Sequence, residues 1–510
     1  MLIRTLTAVV LGVKAIPVEV EVDVSPGICS FSVVGLAGSG VKESRERIRT
    51  ALKNSGFFFP DKRITVNLAP ADLKKDGSFF DLPVAAALLA ASGQMMDERL
   101  NEYLIAGELS LDGTLKPVPG AVSLAYLAKR TSKKGIIIPV ENFFQASLIS
   151  GVEVVPVRTL IDFVRFLNGE DEFPPTPIKP RVKEKDPRGI DLADVVGQET
   201  AKRALEIAAA GGHNLLFIGP PGTGKSMLAE RITTILPPPT EKELIEINEI
   251  HSLIEGDRCG DTTKERPFRA PHHSISYAGM IGGGNPPSPG EVTLAHHGVL
   301  FLDEFPEFRR DVLEALRQPM ETGKVVITRS RYSFTYPARF ALLATANPCS
   351  CGNYGYPERY CICRPADLHR YRKKLTGPVM DRIDMQVEML PPSRKEVIES
   401  ESGSRESSAP VRSRVIEARE RQRKRLASYG FSSNGEIPGA AALELTQPTA
   451  EARKLLEKAG ETFGLSARAL HRILKISRTI ADLDGEEKVL NRHVAEAIHY
   501  RILDRKSPDR

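Results

Sequence analysis

Hydrophobic and polar positions alternate near the start of the chain. Val18, Val20, Val22 and Val24 are separated by Glu19, Glu21 and Asp23, a period of two that predicts a half-buried strand. Further on, Val41, Ile48 and Leu52 fall on one stripe of a helix, ringed by Lys42, Arg45 and Arg49. Strands and helices mixed in this way predict an α+β domain over residues 1–168. The pattern then stops. Residues 169–188, GEDEFPPTPIKPRVKEKDPR, hold five prolines and ten charged residues, which predicts a stiff, extended linker.

From 189 to 392 helices alternate with short, wholly apolar runs: LLFIG at 215–219, VLFLDE at 299–304 and FALLATANP at 340–348. Runs this apolar are buried on both faces, as in a parallel sheet covered by helices. Beyond Pro391 and Pro392 no strand pattern remains. Residues 401–410, ESGSRESSAP, read as a loop, and the rest of 393–510 reads as helices, with Leu470, Ile473, Leu474, Ser477 and Ile480 along one face. There is no internal repeat, and the fold class expected is a multidomain α/β chain.

Composition narrows this picture. A chain of 510 residues exceeds what one core supports, and 41% hydrophobic with 26% charged residues is ordinary for globular domains. No window approaches the roughly 20 apolar residues of a membrane helix. The opening MLIRTLTAVVLGV is short and runs into strand-like alternation, so a cytoplasmic, membrane-free protein is expected. Six cysteines in so long a chain do not form a disulfide framework. The net charge of +5 decides nothing alone, yet residues 324–339 carry +4, residues 358–374 carry +4 and residues 412–425 carry +5. Such segregation suits a nucleic-acid surface, or simply solvated helices and strand edges.

The clearest chemistry lies at GPPGTGKS: Gly219, Pro220, Pro221, Gly222, Thr223, Gly224, Lys225 and Ser226. It follows a strand pattern and opens a helix. Glycines there let backbone N–H groups close around phosphates, Lys225 reaches the terminal phosphates, and Ser226 can ligate Mg²⁺. VLFLDE delivers Asp303 and Glu304 to the end of a second buried strand, where Asp303 can hold Mg²⁺ and Glu304 can polarise an attacking water. The cofactors expected are ATP and Mg²⁺.

With VVGQ at 195–198 ahead of them, these motifs resemble AAA+ ATPases, and more narrowly the group that contains the magnesium-chelatase ATPase subunit and the MCM helicases. The resemblance implies an AAA+ parallel sheet with a helical lid. It also assigns roles: Asn347 in TANP as sensor 1, Arg382 in MDRID as an arginine finger acting on a neighbouring subunit, and Arg468 in LSARALHRI as sensor 2. A finger in trans implies a homo-hexamer. Residues 268–298 are similar to that group's helix-2 insert; their histidine pairs, 272/273 and 296/297, are expected to point to opposite faces of an extended chain rather than to share a metal. Residues 323–340 resemble the pre-sensor-1 hairpin, where Lys324, Arg329, Arg331 and Arg339 offer phosphate contacts to DNA, or else form a solvated strand edge.

The front segments SVVGLAG, KKDGSFFDLPVAAALLAASGQ and GELSLDGTLKPVPGA, combined with this ATPase, resemble the bacterial ComM/YifB family of magnesium-chelatase-like ATPases across nearly the whole chain. That implies a hexameric motor that migrates branched DNA during recombination in transformation. Two other readings are a chelatase-like or protein-remodelling ATPase, and a nucleotide-gated scaffold. The front domain resembles the ribosomal S5 domain 2-like fold of the Lon peptidase, whose Ser-Lys dyad is missing: Phe79 stands at the serine position, Ser78 is one residue off, and Val122 stands at the lysine. The cysteines are a separate matter. Cys349, Cys351, Cys361 and Cys363 form two Cys-x-Cys pairs that could surround a structural Zn²⁺ or remain free thiols, while Cys29 and Cys259 are expected to be buried as small apolar groups.

Overall fold

The computed structural model describes the chain except for residues 37, 74, 76, 78, 171–188, 254–261, 285–286, 330–331, 356–359, 376–378, 393–404 and 502–510. Most of the expected linker, Ser78, Cys259 and Arg331 therefore lie outside the described residues. The chain forms two compact units. One comprises residues 1–183 together with 241–264 and 328–336; the other comprises 184–240, 265–327 and 337–510.

The first unit is built on a seven-stranded mixed sheet ordered Ser30–Val34, Arg63–Ala69, Lys14–Ser25, Leu2–Leu11, Tyr103–Ile105, Gly135–Pro139 and Glu153–Val157. The first two long strands pair antiparallel through Leu2↔Asp23 to Leu11↔Lys14. The last three strands of the order run parallel to one another. The alternation at 18–24 is realised: Val18, Val20, Val22 and Val24 are buried, and Ile48 and Leu52 of the Ser39–Asn54 helix pack into the same core. The Asp81–Ala91 helix is buried along its whole length, and its Asp81 is neutralised by a two-pronged pair with Arg47 at 2.8 and 3.1 Å. Cys29 is exposed, contrary to expectation: it lies in the connection between the Lys14–Ser25 and Ser30–Val34 strands, where its neighbours are exposed as well.

Also in this unit, the Glu241–His251 helix packs on the Ala121–Arg130 helix. Gly120 N–H donates to Ser252 O at 2.7 Å, and Ser123 Oγ donates to Val13 O at 2.9 Å and to Glu249 at 3.3 Å. Burial pushes the Glu249 carboxyl up to about 7, with Glu246 adding repulsion and Ser123 opposing the shift.

The second unit contains the predicted parallel sheet, ordered Phe268–Arg269, Val299–Leu302, Ala341–Ala346, Leu215–Ile218 and Met385–Glu388. The three long apolar runs are its central strands, and Leu215, Phe217, Val299, Phe301 and Leu343 join one core with helices on both sides of them in sequence. Helices Ser408–Leu426, Ala450–Phe463, Ala467–Leu483 and Asn491–His499 complete the unit. The predicted face of the 467–483 helix is buried at Ile473, Leu474, Ser477 and Ile480. Helix begins at Ser408, so the last residues of the expected loop at 401–410 are its first turn.

The basic run at 412–425 is largely spent inside this unit. Arg414 bonds Glu206 at 2.6 Å, Arg419 donates to Ala209 O at 2.8 Å, Arg421 to Asp482 O at 2.5 Å, and Arg425 to the Asp482 carboxylate at 2.7 Å. These residues are ties between helices rather than an open cationic surface.

Candidate nucleotide site

Strand register assembles the site. Ile218 pairs with Ala346, so the chain leaves one strand as the phosphate loop beside Asn347 at the end of the next. Leu302 pairs with Ala344, which sets Asp303 beside Thr345. All these strands are parallel, so their carboxyl ends converge on one edge of the sheet, the usual position of a ligand site in such folds.

The loop turns through Gly222 and Gly224 at φ 85° and 83°, a region where a side chain is strained, and the helix Lys225–Glu230 starts immediately after. Thr223 Oγ1 closes the turn by donating to Pro220 O at 3.0 Å. Gln198 holds the loop from behind, donating to Thr223 O at 3.3 Å and Leu390 O at 2.6 Å, which is the structural use of VVGQ.

Lys225 is buried. Its Nζ donates to Gly219 O at 2.6 Å, Pro220 O at 2.8 Å and Asn347 Oδ1 at 3.2 Å. Burial lowers the affinity of this amine for its proton, while Asp303 and Glu304 oppose that effect. Ser226 Oγ lies 3.0 Å from both carboxylate oxygens of Asp303. The donor set fits Mg²⁺ with a nucleotide phosphate: a hydroxyl and a carboxylate are already side by side, with an ammonium on the same loop.

Thr345 is a functional residue that the sequence reading passed over. Buried in the sheet, its hydroxyl donates to Asp303 Oδ1 at 2.5 Å and accepts from Glu304 N–H at 3.0 Å. One side chain therefore orients both acidic residues, and Glu304 sits in the left-handed region at φ 53°, turned away from the strand path. A lone hydroxyl inside the otherwise apolar FALLATA was the available signal. Tyr371 is another omission. It is buried, and burial raises its hydroxyl pKa far above the ordinary value, with the Asn347 backbone N–H opposing the shift.

The predicted arginines stand apart from this cluster in their bonding. Arg382 is buried and ion-paired with Glu321. Burial first, and then the charges of Arg317, Arg468 and Arg472, lower its pKa. Its neighbour Asp384 is anchored: it accepts from Asn214 N–H at 2.9 Å and pairs with Arg472 at 3.3 Å. Burial opposes the Asp384 charge, but Lys475, His213 and Arg472 outweigh it and hold the carboxyl below its usual range. Arg468 is exposed near the start of the Ala467–Leu483 helix.

Of the hairpin residues, Lys324 and Arg339 are exposed, and for Arg329 only the backbone, in the Lys324–Arg329 strand, is described. The histidine pairs depart from expectation. His272 and His273 have ring centroids 4.0 Å apart, and His296 and His297 3.9 Å apart, with the rings tilted by 37° and 39°, so each pair lies side by side instead of on opposite sides. At the second pair the chain is not extended: His297 has φ 57°. Buried His296 accepts the Arg339 backbone N–H at 3.0 Å. In the front unit, Phe79 stacks on Phe80 at 4.6 Å and Val122 is buried, so both Lon dyad positions carry packing groups with no proton to transfer.

Comparison with known proteins agrees with this geometry. Residues 191–397 match the family described as magnesium chelatase, subunit ChlI, residues 20–142 match subunit ChlI of Mg-chelatase, and residues 405–501 match the magnesium chelatase subunit ChlI C-terminal family. The chain is 45% identical over 500 residues to competence protein ComM of Haemophilus influenzae, covering 97% of this chain and 96% of that protein. It is 45% identical over 504 residues to YifB of Escherichia coli, covering 98% and 97%. A partial match, 31% identical over 179 residues, covers 32% of this chain and 31% of Lon protease 2 of Bacillus subtilis. Membership implies ATPase activity with ATP and Mg²⁺. Among the described residues no helix is long and apolar enough to cross a membrane. With a phosphate loop, paired acids and a polar strand tip assembled on adjacent parallel strands, and near full-length identity to its relatives, the chain belongs to the ComM/YifB family of magnesium-chelatase-like AAA+ ATPases.

Proposed function

We propose that this chain is an ATP-driven DNA motor that works as a ring in the cytoplasm, moving branched or single-stranded DNA during recombination of incoming DNA. The observation that carries the ATPase part is the shared anchoring of Asp303 and Glu304 by Thr345, next to Lys225 and Asn347. In this reading Lys225 gathers phosphate charge, Ser226 and Asp303 hold Mg²⁺, Glu304 takes a proton from water, and Asn347 orients that water. Mg²⁺ supplies charge neutralisation on the phosphates when bound.

Arg382 acts on a neighbouring subunit as an arginine finger, and Arg468 serves as sensor 2 in the lid. Docking draws Arg382 out of its pair with Glu321. The DNA part is supported by the relative's name, competence protein ComM, and by exposed Lys324 at the root of a hairpin whose sequence carries four basic residues and no acid. Residues 1–168 serve as a Lon-peptidase-like, S5 domain 2-like domain without a dyad, 169–188 as linker, 189–392 as the AAA+ core and 393–510 as its lid.

The matches to magnesium-chelatase subunits favour a second reading, an ATPase that remodels a protein or serves metal chelation. Steady-state ATP turnover with and without DNA separates the two. Stimulation by DNA supports the motor; indifference to DNA together with stimulation by a protein partner overturns it.

A further inference from the structure

The loop that follows Asn347 gathers four sulfurs. Cys349 Sγ lies 3.4 Å from Cys351 Sγ and 3.8 Å from Cys361 Sγ, and Cys351 and Cys361 are 3.6 Å apart. Cys363 completes the group, with all four ligand atoms within 4.8 Å of one another. All four are free thiols. A tetrahedral zinc tetrathiolate with Zn–S near 2.3 Å has sulfur–sulfur edges of about 3.8 Å. The cluster therefore has the size of a zinc coordination shell, and Tyr354 N–H already donates to Cys349 Sγ at 3.3 Å, a bond of the kind that steadies a ligating thiolate.

Among the described residues, the second cysteine pair of this loop has little apolar cover. Tyr360 and Ile362, which flank and separate the second cysteine pair, are 93% and 82% exposed. A segment whose Tyr360 and Ile362 stand in water needs a staple in place of a core.

The loop also begins and ends on the nucleotide site. Cys349 is two residues past Asn347, and Cys361 and Cys363 lead directly into the Pro365–Lys374 helix, which carries the buried Tyr371. Arg372 of that helix lies over the Tyr354 ring at 4.6 Å. Between the pairs, a methyl group added to Gly352 would come within 2.7 Å of Pro221 Cδ, so the loop backbone rides directly on the phosphate loop.

We propose that Cys349, Cys351, Cys361 and Cys363 bind one structural zinc ion, which closes the loop and thereby positions Asn347 and the Pro221 side of the phosphate loop. With four thiolates the ion has no open position for substrate, so its effect on turnover passes through Asn347. The cysteines are positioning residues.

The test uses the full chain purified without chelators. Elemental analysis and thiol-modification release should give about one zinc per chain. The double variant Cys361→Ser, Cys363→Ser should lose it, and kcat should fall about tenfold or more while ATP affinity stays within about threefold, because Lys225 and the loop amides are retained. Cys361→His keeps a usable ligand and should retain both zinc and turnover. Hydrogen exchange separates this from unfolding: faster exchange confined to 347–375 is expected. Substoichiometric zinc in the unmodified chain overturns the site. Full zinc with unchanged turnover after its removal overturns the positioning role, as does exchange that rises equally in the Ser408–Leu426 helix. Zinc stoichiometry is independent of whether DNA stimulates the enzyme, so failure of the motor reading is told apart from failure of this one.

Discussion

Thr345→Val is the most discriminating perturbation of the site, because valine keeps the β-branched shape in the sheet and removes only the hydroxyl. Two bonds go: the one to the Asp303 carboxylate at 2.5 Å and the one from Glu304 N–H at 3.0 Å. A hydrogen bond to a charged group contributes about 1.5–3 kcal/mol, and an abandoned buried donor costs about 1–3 kcal/mol. Asp303 and Glu304 are themselves exposed, so water recovers part of this loss. A net destabilisation of about 2–3 kcal/mol follows, a fall in Tm of about 3–5 °C for a unit of this size. Turnover should drop further than stability does. Glu304 is held at φ 53° by that bond, and a drift in its carboxylate relaxes the alignment of base and water, for which a loss of about tenfold to a hundredfold in kcat is expected. ATP affinity should change less than about threefold, since Lys225 and the loop are untouched. Thr345→Ser keeps the hydroxyl and should recover most of kcat. The assay is steady-state ATP turnover beside nucleotide binding at a temperature where both variants are folded. Wild-type kcat in Thr345→Val would show that Thr345 does not organise the acidic pair.

Three further outcomes follow from the same geometry. Glu304→Gln should bind ATP with near-normal affinity while hydrolysis falls about a hundredfold or more, measured by equilibrium binding and phosphate release; undiminished release contradicts its role as base. Rings mixed from Arg382→Ala and Lys225→Ala subunits should regain part of the activity each lacks alone, since some interfaces then pair an intact loop with an intact arginine; stable mixed rings with no recovery exclude a finger in trans. The Glu249 carboxyl, raised from an ordinary 4.5 to about 7, makes the folded state bind its proton more tightly than the unfolded chain does. Its stabilisation is full below pH 4.5 and is lost as pH rises through 7, on the order of 3 kcal/mol. Hydrogen exchange in residues 241–252 should accelerate from pH 5 to pH 8 beyond its intrinsic rate, and Glu249→Gln should flatten that dependence; equal profiles refute the assignment.

The parallel core was legible because its strands are apolar from end to end, and the front strand because Val18 to Val24 keep a strict period. Lys225, Ser226, Asp303 and Asn347 were legible because each closes a motif at a strand end, and the structure brings all four together. Thr345 was not, because a single hydroxyl in FALLATA has no periodicity; its meaning comes from strand register, which pairs Leu302 with Ala344. The charge run at 412–425 misled for a related reason. Sequence shows that seven basic residues are close together but not that Glu206, Asp482 and buried carbonyls of other segments face them. The 296/297 histidine pair failed through a local rule applied outside its range, since neighbours diverge only on an extended chain, and His297 is in the left-handed region. The cysteine cluster was visible as spacing, whereas its closeness to Pro221 and Tyr371 required the fold.

The central claim is that hydrolysis at this site moves DNA. The direct measurement is strand exchange on a labelled four-way DNA junction, run beside linear duplex, with ATP turnover recorded in the same reaction for the unmodified chain and for Glu304→Gln. The account predicts that the junction raises turnover above linear duplex, that strands separate only with ATP and Mg²⁺, and that Glu304→Gln binds the junction but does not move it. Turnover indifferent to both DNAs, with no strand exchange from an actively hydrolysing ring, would contradict it.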